Sequence, residues 1–487
     1  MKKYFPFLLM MLTGTLAAQT PPGLGLIRTE ELKRDVYAMS DANFRGRSAG
    51  TLDELKAAMW MADQYRAIGI KPAGDDGTYF QYFNLWRNQV SDLSTILINN
   101  APLALWKDAA ISQMANISLE DLVVYLGDAL SVDTNTVDVK DKVVAIKANA
   151  KGISLDVSLP TWRYNRYIFT KYGMPLLRRG ARAIIFIADE TAENAWDDAN
   201  ENYKRGTYDI DGGPNMTVTT TAPVIWVHEK TGMVLQDNKA VIKANIIVSS
   251  YQYPSVNIVG VIAGSDKTLK SEYLLYSGHI DAHGIRNPVN GDSIYYGADD
   301  NASVNAAILA SARAFVKYPS KRSALIVIHG AEERGLLGSR YYSAHPTVPI
   351  KNIVAVLNGD MIGRNHIDSA VILGAVPPHR NSTELVNMAL SANNEGPKFK
   401  LDSSWDAVTH VEGWYFRSDH LPYARLGIPA IMYTTLLHPD YHTPMDNAQN
   451  INYAKLKKMA DWIYRTGWKV ANAEKRPATD IHFKLER

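Results

Sequence analysis

Apolar positions recur at helical spacing near the start of the chain and again at its end, and in between they gather into short continuous runs. Thr29 to Ala38 and Thr51 to Ala67 carry the helical pattern. The second opens on the capping box Thr51-Leu52-Asp53-Glu54 and closes before Gly69, so both of its ends are signalled. Turn residues follow at Gly74-Asp75-Asp76-Gly77. From roughly Leu105 to Ser249 short β-rich runs dominate, among them Val143 to Lys147, Ala183 to Ile187 and Val224 to Val227. Tyr167 to Arg179 reads as a helix stopped by Gly180. The acidic, Asn-rich stretch from Asp189 to Asn202 reads as a solvated loop rather than a site.

From Val256 onward strands and helices alternate. Val256 to Ile262, Tyr273 to Ser277, Ala324 to Ile328 and Ile353 to Leu357 are the strands, and Ser303 to Val316 is a helix. Such alternation predicts an α/β fold whose sheet has parallel members. Tyr453 to Val470 carries Leu456, Met459, Ile463 and Val470 on one helical face, which should pack on that sheet. There is no internal repeat or low-complexity tract.

With 487 residues, 46% of them hydrophobic, the chain can bury a large core and is long enough for two or three domains. Its 52 basic and 50 acidic residues nearly balance, which gives no nucleic-acid footprint. Lys2 and Lys3, the apolar stretch from Phe5 to Leu12 and the small residues ending at Ala17 and Ala18 have the layout of a signal peptide; the alternative is a short buried N-terminal helix. That apolar part is too short to span a membrane, and no later stretch of sufficient length is free of charge. The expectation is an exported protein, periplasmic or extracellular, soluble after cleavage near residue 18, with no stable membrane insertion. There is no cysteine, so disulfides and thiolate zinc sites are excluded and any metal must be held by His, Asp and Glu.

Five short motifs place acids or histidines close to predicted strand ends, where open α/β sheets gather their ligands. They are His279-Ile280-Asp281, Gly297-Ala298-Asp299-Asp300, Glu332-Glu333, Asp360, and His442-Thr443-Pro444-Met445-Asp446. A lone histidine at a strand end is usually a hydrogen-bonded structural residue. Several acids gathered with histidines at successive strand ends form a costly cluster of like charges unless a multivalent cation neutralises them.

In the order His-x-Asp, Gly-Ala-Asp-Asp, Glu-Glu-x-Gly-Leu-x-Gly-Ser, Asp-Met and His-Thr, residues 257–447 resemble the co-catalytic dizinc aminopeptidase family, which includes bacterial secreted leucine aminopeptidases and glutamate carboxypeptidases. The resemblance implies a zinc exopeptidase fold, a mixed, largely parallel sheet flanked by helices, and two Zn2+ ions per chain. It implies that His279 and Asp360 hold one zinc, Glu333 and His442 the other, and that Asp300 bridges them, leaving Asp299 as a supporting or helix N-terminal acid. Glu332 is then the general base, and Asp281 orients His279 or is simply a turn acid. Tyr415 matches the segment that supplies an oxyanion-stabilising tyrosine in some relatives, and otherwise is a packed aromatic. His283, His410, His420 and His438 fall outside the family pattern and are given substrate-contacting or structural roles.

The β-rich insert resembles a protease-associated domain, with either a lid-like role or a purely stabilising one. The domain organisation expected is a signal peptide at 1–18, an N-terminal helical part of the catalytic domain at 19–104, the insert at 105–249, the zinc peptidase domain at 250–475 and a tail at 476–487. The function implied is zinc-dependent aminopeptidase action on peptides. A carboxypeptidase or dipeptidase of the same family is the alternative, followed by a glutaminyl cyclase or a non-catalytic receptor-like module. A carboxypeptidase would gather arginines around the substrate carboxylate. Near the motifs Arg286, Arg334, Arg364 and Arg417 are scattered in sequence, though folding could still assemble such a group.

Overall fold

The computed structural model describes residues 20–150, 163–410 and 412–486, so the expected signal peptide lies outside the described residues. A ten-stranded mixed sheet forms the centre of the molecule. In chain order its main strands are β1 (Phe80–Val90), β2 (Thr207–Ile210), β3 (Val248–Ile262), β4 (Tyr273–His279), β5 (Ser323–His329), β6 (Ile353–Gly359), β7 (Ser369–Leu373) and β8 (Ala430–Thr434). They lie in the order β7-β8-β6-β4-β5-β3-β1-β2, with Lys400–Leu401 outside β7 and Lys71–Pro72 beside β3. β4 pairs in parallel with β5 and β6, and β6 with β8. β3, β1 and β2 continue the sheet antiparallel on one side, and β7 does so on the other. The expected α/β class is observed, with parallel pairing concentrated at the centre.

That centre is parallel because both of its faces are covered. β4, β5 and β6 are buried along almost their whole length, which is why they read as unbroken apolar runs. Thr29–Met39, Leu52–Ile68, Val304–Lys317, Thr383–Glu395 and Tyr453–Asn472 pack on one face. Leu337–Ala344 and His420–Arg425 pack on the other. Leu52–Ile68 starts on Thr51, whose hydroxyl accepts the N–H of Asp53, and ends on Gly69 at φ 94°. Tyr453–Asn472 buries Leu456, Met459, Ile463 and Val470, the stripe read from the sequence. Among the described residues no helix is long and apolar enough to cross a membrane.

A second, eight-stranded sheet runs Ala101–Leu103, Thr95–Ile98, Val241–Ile246, Ile117–Asp128, Val143–Lys147, Ala183–Ile187, Val224–Val227 and Ala109–Gln113. Its strands therefore begin at Thr95, before the change of pattern read at Leu105, while β2 from the same stretch joins the main sheet instead. The stretch Asp189 to Asn202 is not a loop. It forms the helices Glu190–Asn194 and Trp196–Arg205. Asp189 caps the first by accepting the N–H of Ala192 at 3.0 Å, and Trp196, Ala199 and Asn200 form the buried face of the second. So narrow an inward face is easily hidden by acids and amides on the other positions.

Candidate active site

Because β4, β5, β6 and β8 are parallel, their C-terminal ends share one edge of the sheet. β4 ends on His279 and β5 leads to Glu332 and Glu333. β6 leads to Asp360, and β8 to the loop carrying His438 and His442. Asp300 comes from the turn that precedes helix Val304–Lys317. Gly297 at φ +60° begins that turn, and a Cβ there would lie 2.3 Å from the carbonyl oxygen of Asp300. Only glycine lets the backbone fold back that closely.

The Asp300 carboxylate faces two histidines. Its Oδ1 is 3.1 Å from His279 Nε2, and its Oδ2 is 3.2 Å from His442 Nε2. A second acid accompanies each histidine: Asp360 Oδ1 is 3.8 Å from His279 Nε2, and Glu333 Oε1 is 3.5 Å from His442 Nε2. Glu332 Oε2 lies 3.9 Å from His279 Nε2. His283, outside the five motifs, also belongs here, with Nε2 3.2 Å from Glu333 Oε2. Donor atoms of His279, Glu332 and Asp360 all lie within 4.8 Å of one another, as do those of His283, Glu333 and His442. His279 Nε2, His442 Nε2 and Glu333 Oε1 are enclosed without a hydrogen-bond partner. Enclosed polar atoms are normally satisfied. An all-His/Asp/Glu donor set with such atoms converging on shared space suits borderline metal ions such as zinc.

The protonation balance follows from burial among like charges. Burial lifts Glu332 well above the ordinary carboxylate range, with Asp360 and Glu333 adding to it against His279. Burial would also lift Asp300, but the close approach and charge of His279 and His442 hold it well below that range. Burial pulls His279 down, and the charge of Glu332 with the contacts to Asp300 and Asp360 outweighs it, keeping the ring well above its usual value. His283 is pushed well below by burial and by the His442 charge beside it. In the absence of a cation these groups share protons.

Three further carboxylates fix the backbone under the cluster. Asp281 accepts the N–H groups of Glu332 and Glu333, and its carbonyl oxygen sits 3.1 Å from His279 Nδ1. Asp446 accepts those of Asp299 and Asp300 at 2.8 and 3.1 Å. Asp299 in turn accepts the N–H of Gly363 and lies 3.5 Å from His438 Nε2. Arg47, fully buried, ties the N-terminal segment to both ligand-bearing loops by donating to the carbonyls of Met39, Ile280, Tyr296 and Gly297. None of this was legible from the motifs, because Arg47 is more than two hundred positions from the loops it joins.

Tyr415 is not brought to the cluster. Its ring is fully buried, stacked on His379 at 4.3 Å and edge-on to His420 at 4.9 Å, surroundings that correspond to the packed-aromatic alternative. His410 stacks on Trp405. A tyrosine that does reach the cluster is Tyr441, stacked on His442 at 3.6 Å. Its place directly before His442 was the one sequence signal for it.

The model of Peptidase family M28 matches residues 257–466. The chain is 26% identical to Aminopeptidase YwaD of Bacillus subtilis over 267 residues, 53% of each protein. It is 24% identical to a probable zinc metalloprotease of Pyrenophora tritici-repentis over 258 residues, 45% of this chain and 58% of that one. It thus spans about half the length of the curated relatives it matches. Among solved structures, the aminopeptidase from Aneurinibacillus sp. strain AM-1 superposes with a TM-score of 0.61 at 18% identity, covering 95% of this chain and 98% of that one. The peptidase M28 precursor from Shewanella amazonensis does so with a TM-score of 0.53 at 16% identity, covering 92% and 97%. These two likenesses concern the fold. The match to the model of Peptidase family M28 covers residues 257–466, which carry every donor of the cluster.

Proposed function

We propose that this protein is an exported metallo-exopeptidase that removes N-terminal residues from peptides, with two zinc ions held between His279 and His442. The observation that carries the reading is the position of Asp300, one carboxylate oxygen toward each histidine at 3.1 and 3.2 Å, with Asp360 and Glu333 as the second acids of the two halves. His279 and Asp360 would hold one ion, Glu333 and His442 the other, and Asp300 both. His283, beside Glu333, completes the second half. Zinc supplies Lewis-acid polarisation of the scissile carbonyl and lowers the pKa of water at the site.

The remaining chemistry belongs to the chain. Glu332 stands on the His279 side, with Oε2 3.9 Å from His279 Nε2, where its carboxylate can take a proton from the attacking water. The same carboxyl then delivers that proton to the departing amine nitrogen as the peptide C–N bond breaks. Asp281 holds the Glu332-Glu333 backbone, and Asp446 holds the Asp299-Asp300 backbone, so base and bridge keep their separation through the reaction. His279 and His442 can hold metal only with their ring nitrogens facing it unprotonated.

Names of relatives such as Aminopeptidase YwaD support an aminopeptidase over the cyclase and receptor-like alternatives. The carboxypeptidase and dipeptidase alternatives use the same reacting groups and differ in what recognises the substrate's ends. A panel of peptides with free or acetylated N-termini, assayed with zinc-loaded protein, tests the proposal. Cleavage stopped by acetylation is expected. Cleavage that survives acetylation and stops on C-terminal amidation would reverse the polarity.

A further inference from the structure

Arginines scattered in the sequence converge beside the second half of the cluster. Arg334 follows Glu333 directly, Arg286 lies three residues after His283, and Arg205 ends the helix Trp196–Arg205 contributed by the other part of the chain. That helix packs against the strand Gly284–Val289, and β2 packs against the Glu332–Arg334 turn. Arg286 lies over the ring of Tyr295 at 5.3 Å, and Tyr295 lines the same cavity as His283, Asp300, Glu333 and His442. Arg334 lies over the ring of Tyr208 at 5.3 Å.

These guanidiniums differ from the others near the site in forming no ion pair, although the Glu333 charge acts on Arg205 and Arg286. Arg364 is paired with Asp440, Arg417 with Glu412 and Arg340 with Asp209. Arg47 is saturated by carbonyls. Among the described residues, Arg205, Arg286 and Arg334 form no ion pair. Arg334 Nε and Nη1 are enclosed with no hydrogen-bond partner, while its Nη2 reaches Ser48 Oγ at 3.1 Å. Arg205 Nη2 is oriented by the side-chain oxygen of Asn202 at 2.8 Å. Glu201, whose charge Arg286 also feels, pairs with Lys204 instead. Burial and the mutual repulsion of the three depress Arg205 to about 9. Stacking on tyrosine faces fixes two of the guanidiniums while leaving in-plane N–H donors free. Converging cations with unused, oriented donors match a planar anion, which guanidinium binds through paired hydrogen bonds.

We infer that Arg205, Arg286 and Arg334 form a carboxylate-binding subsite next to Glu333 and His283, so that the enzyme prefers short peptides presenting a carboxylate close to the scissile bond. This rests on the peptidase reading of the adjacent cluster; the group is of the kind a carboxypeptidase gathers, and cleavage that survives N-acetylation and stops on C-terminal amidation would assign it to that polarity. The carboxylate has two sources, the C-terminus of a dipeptide or tripeptide and an acidic side chain. The helix that supplies Arg205 makes the smaller part of the chain a partner in substrate choice.

The experiment compares Ala-Ala with Ala-Ala-amide, and Ala-Glu-amide with Ala-Gln-amide, on zinc-loaded wild type, Arg205→Gln and Arg286→Gln. In at least one pair the carboxylate form is expected to lead in kcat/KM by about tenfold or more, and that pair identifies the source. Both variants should reduce the lead severalfold. A wild-type lead below about threefold in both pairs, or a lead unchanged in both variants, overturns the inference. Calorimetric titration of zinc-loaded Glu332→Gln protein with the same pairs reads the subsite without turnover. Tighter binding of the carboxylate form with no cleavage by wild type would keep the subsite and sink the peptidase reading. Cleavage with equal binding of both forms would do the reverse.

Discussion

The Asp281 carboxylate accepts the backbone N–H of Glu332 at 2.9 Å and that of Glu333 at 3.1 Å, one oxygen to each. A group two residues beyond the end of β4 thereby sets the position of the turn beyond β5. The sequence reading gave Asp281 the task of orienting His279, but it is the carbonyl of Asp281, at 3.1 Å, that meets the ring, while its carboxylate stands 3.7 Å away.

Asp281→Asn should therefore displace the Glu332-Glu333 turn. The amide puts an N–H donor against one of two backbone donors and removes a charge-assisted bond, a loss of roughly 1.5–3 kcal/mol. Steady-state kinetics should show kcat/KM reduced about ten- to hundredfold, with zinc affinity reduced as well. Unchanged kinetics would leave Asp281 a turn acid.

Glu332 and Glu333 are neighbours in sequence, yet Glu332 faces His279 and Glu333 faces His442 and His283. Glu332→Gln keeps shape while removing the base, so it should retain zinc and lose at least about a hundredfold in kcat. Glu333→Gln should lose zinc. Metal analysis beside kinetics on both variants checks the assignment, and the opposite pattern would exchange the two roles.

Arg47 is enclosed among backbone carbonyls of three segments. Arg47→Met fits the space without supplying donors and should destabilise the fold by roughly 3 kcal/mol or more, since several buried acceptors go unpaired. Urea unfolding measures it. A change below about 1 kcal/mol would mean that the guanidinium does not brace these loops.

Glu54 supplies a pH dependence outside the donor cluster. Buried and close to the Asp281 charge, it is raised from 4.5 to about 8 while accepting the N–H of Gly50 and the hydroxyl of Ser255. Between those values the folded state holds a proton that the unfolded state has released. Stability of the metal-free protein therefore falls as pH rises from about 4.5 to about 8, by at most about 1.4 kcal/mol per pH unit from this group. Glu54→Gln should flatten that slope in unfolding titrations across the window, and an undiminished slope would contradict it.

How much of this could be read from the residues depended on distance along the chain. His279, Glu332, Glu333 and Asp360 are visible because each follows a short apolar run, and parallel strands deliver their C-terminal ends to one edge, whereas Asp300 before a helix and His442 in a late loop are visible through their motifs. His283 belongs to no motif and so reads as substrate-contacting or structural, although it continues the alternation His279, Asp281, His283. Tyr415 was drawn in by a motif, but its ring packs on His379 instead. Arg205 could not be related to Arg286 and Arg334 from spacing, since the intervening fold brings them together. The helix Trp196–Arg205 that carries it was itself read as loop, because acids and amides outnumber its buried Trp196, Ala199 and Asn200.

The central claim is that Asp300 joins two metal positions rather than serving one. It is tested most directly by the zinc content of the purified protein after saturation and removal of free metal, measured per chain on wild type and Asp300→Asn. The account predicts two zinc ions in the wild type, and a substitution that weakens both positions together because it removes a ligand they share. A wild type that saturates at one zinc ion, or an Asp300→Asn variant that keeps two with unchanged affinity, would contradict it.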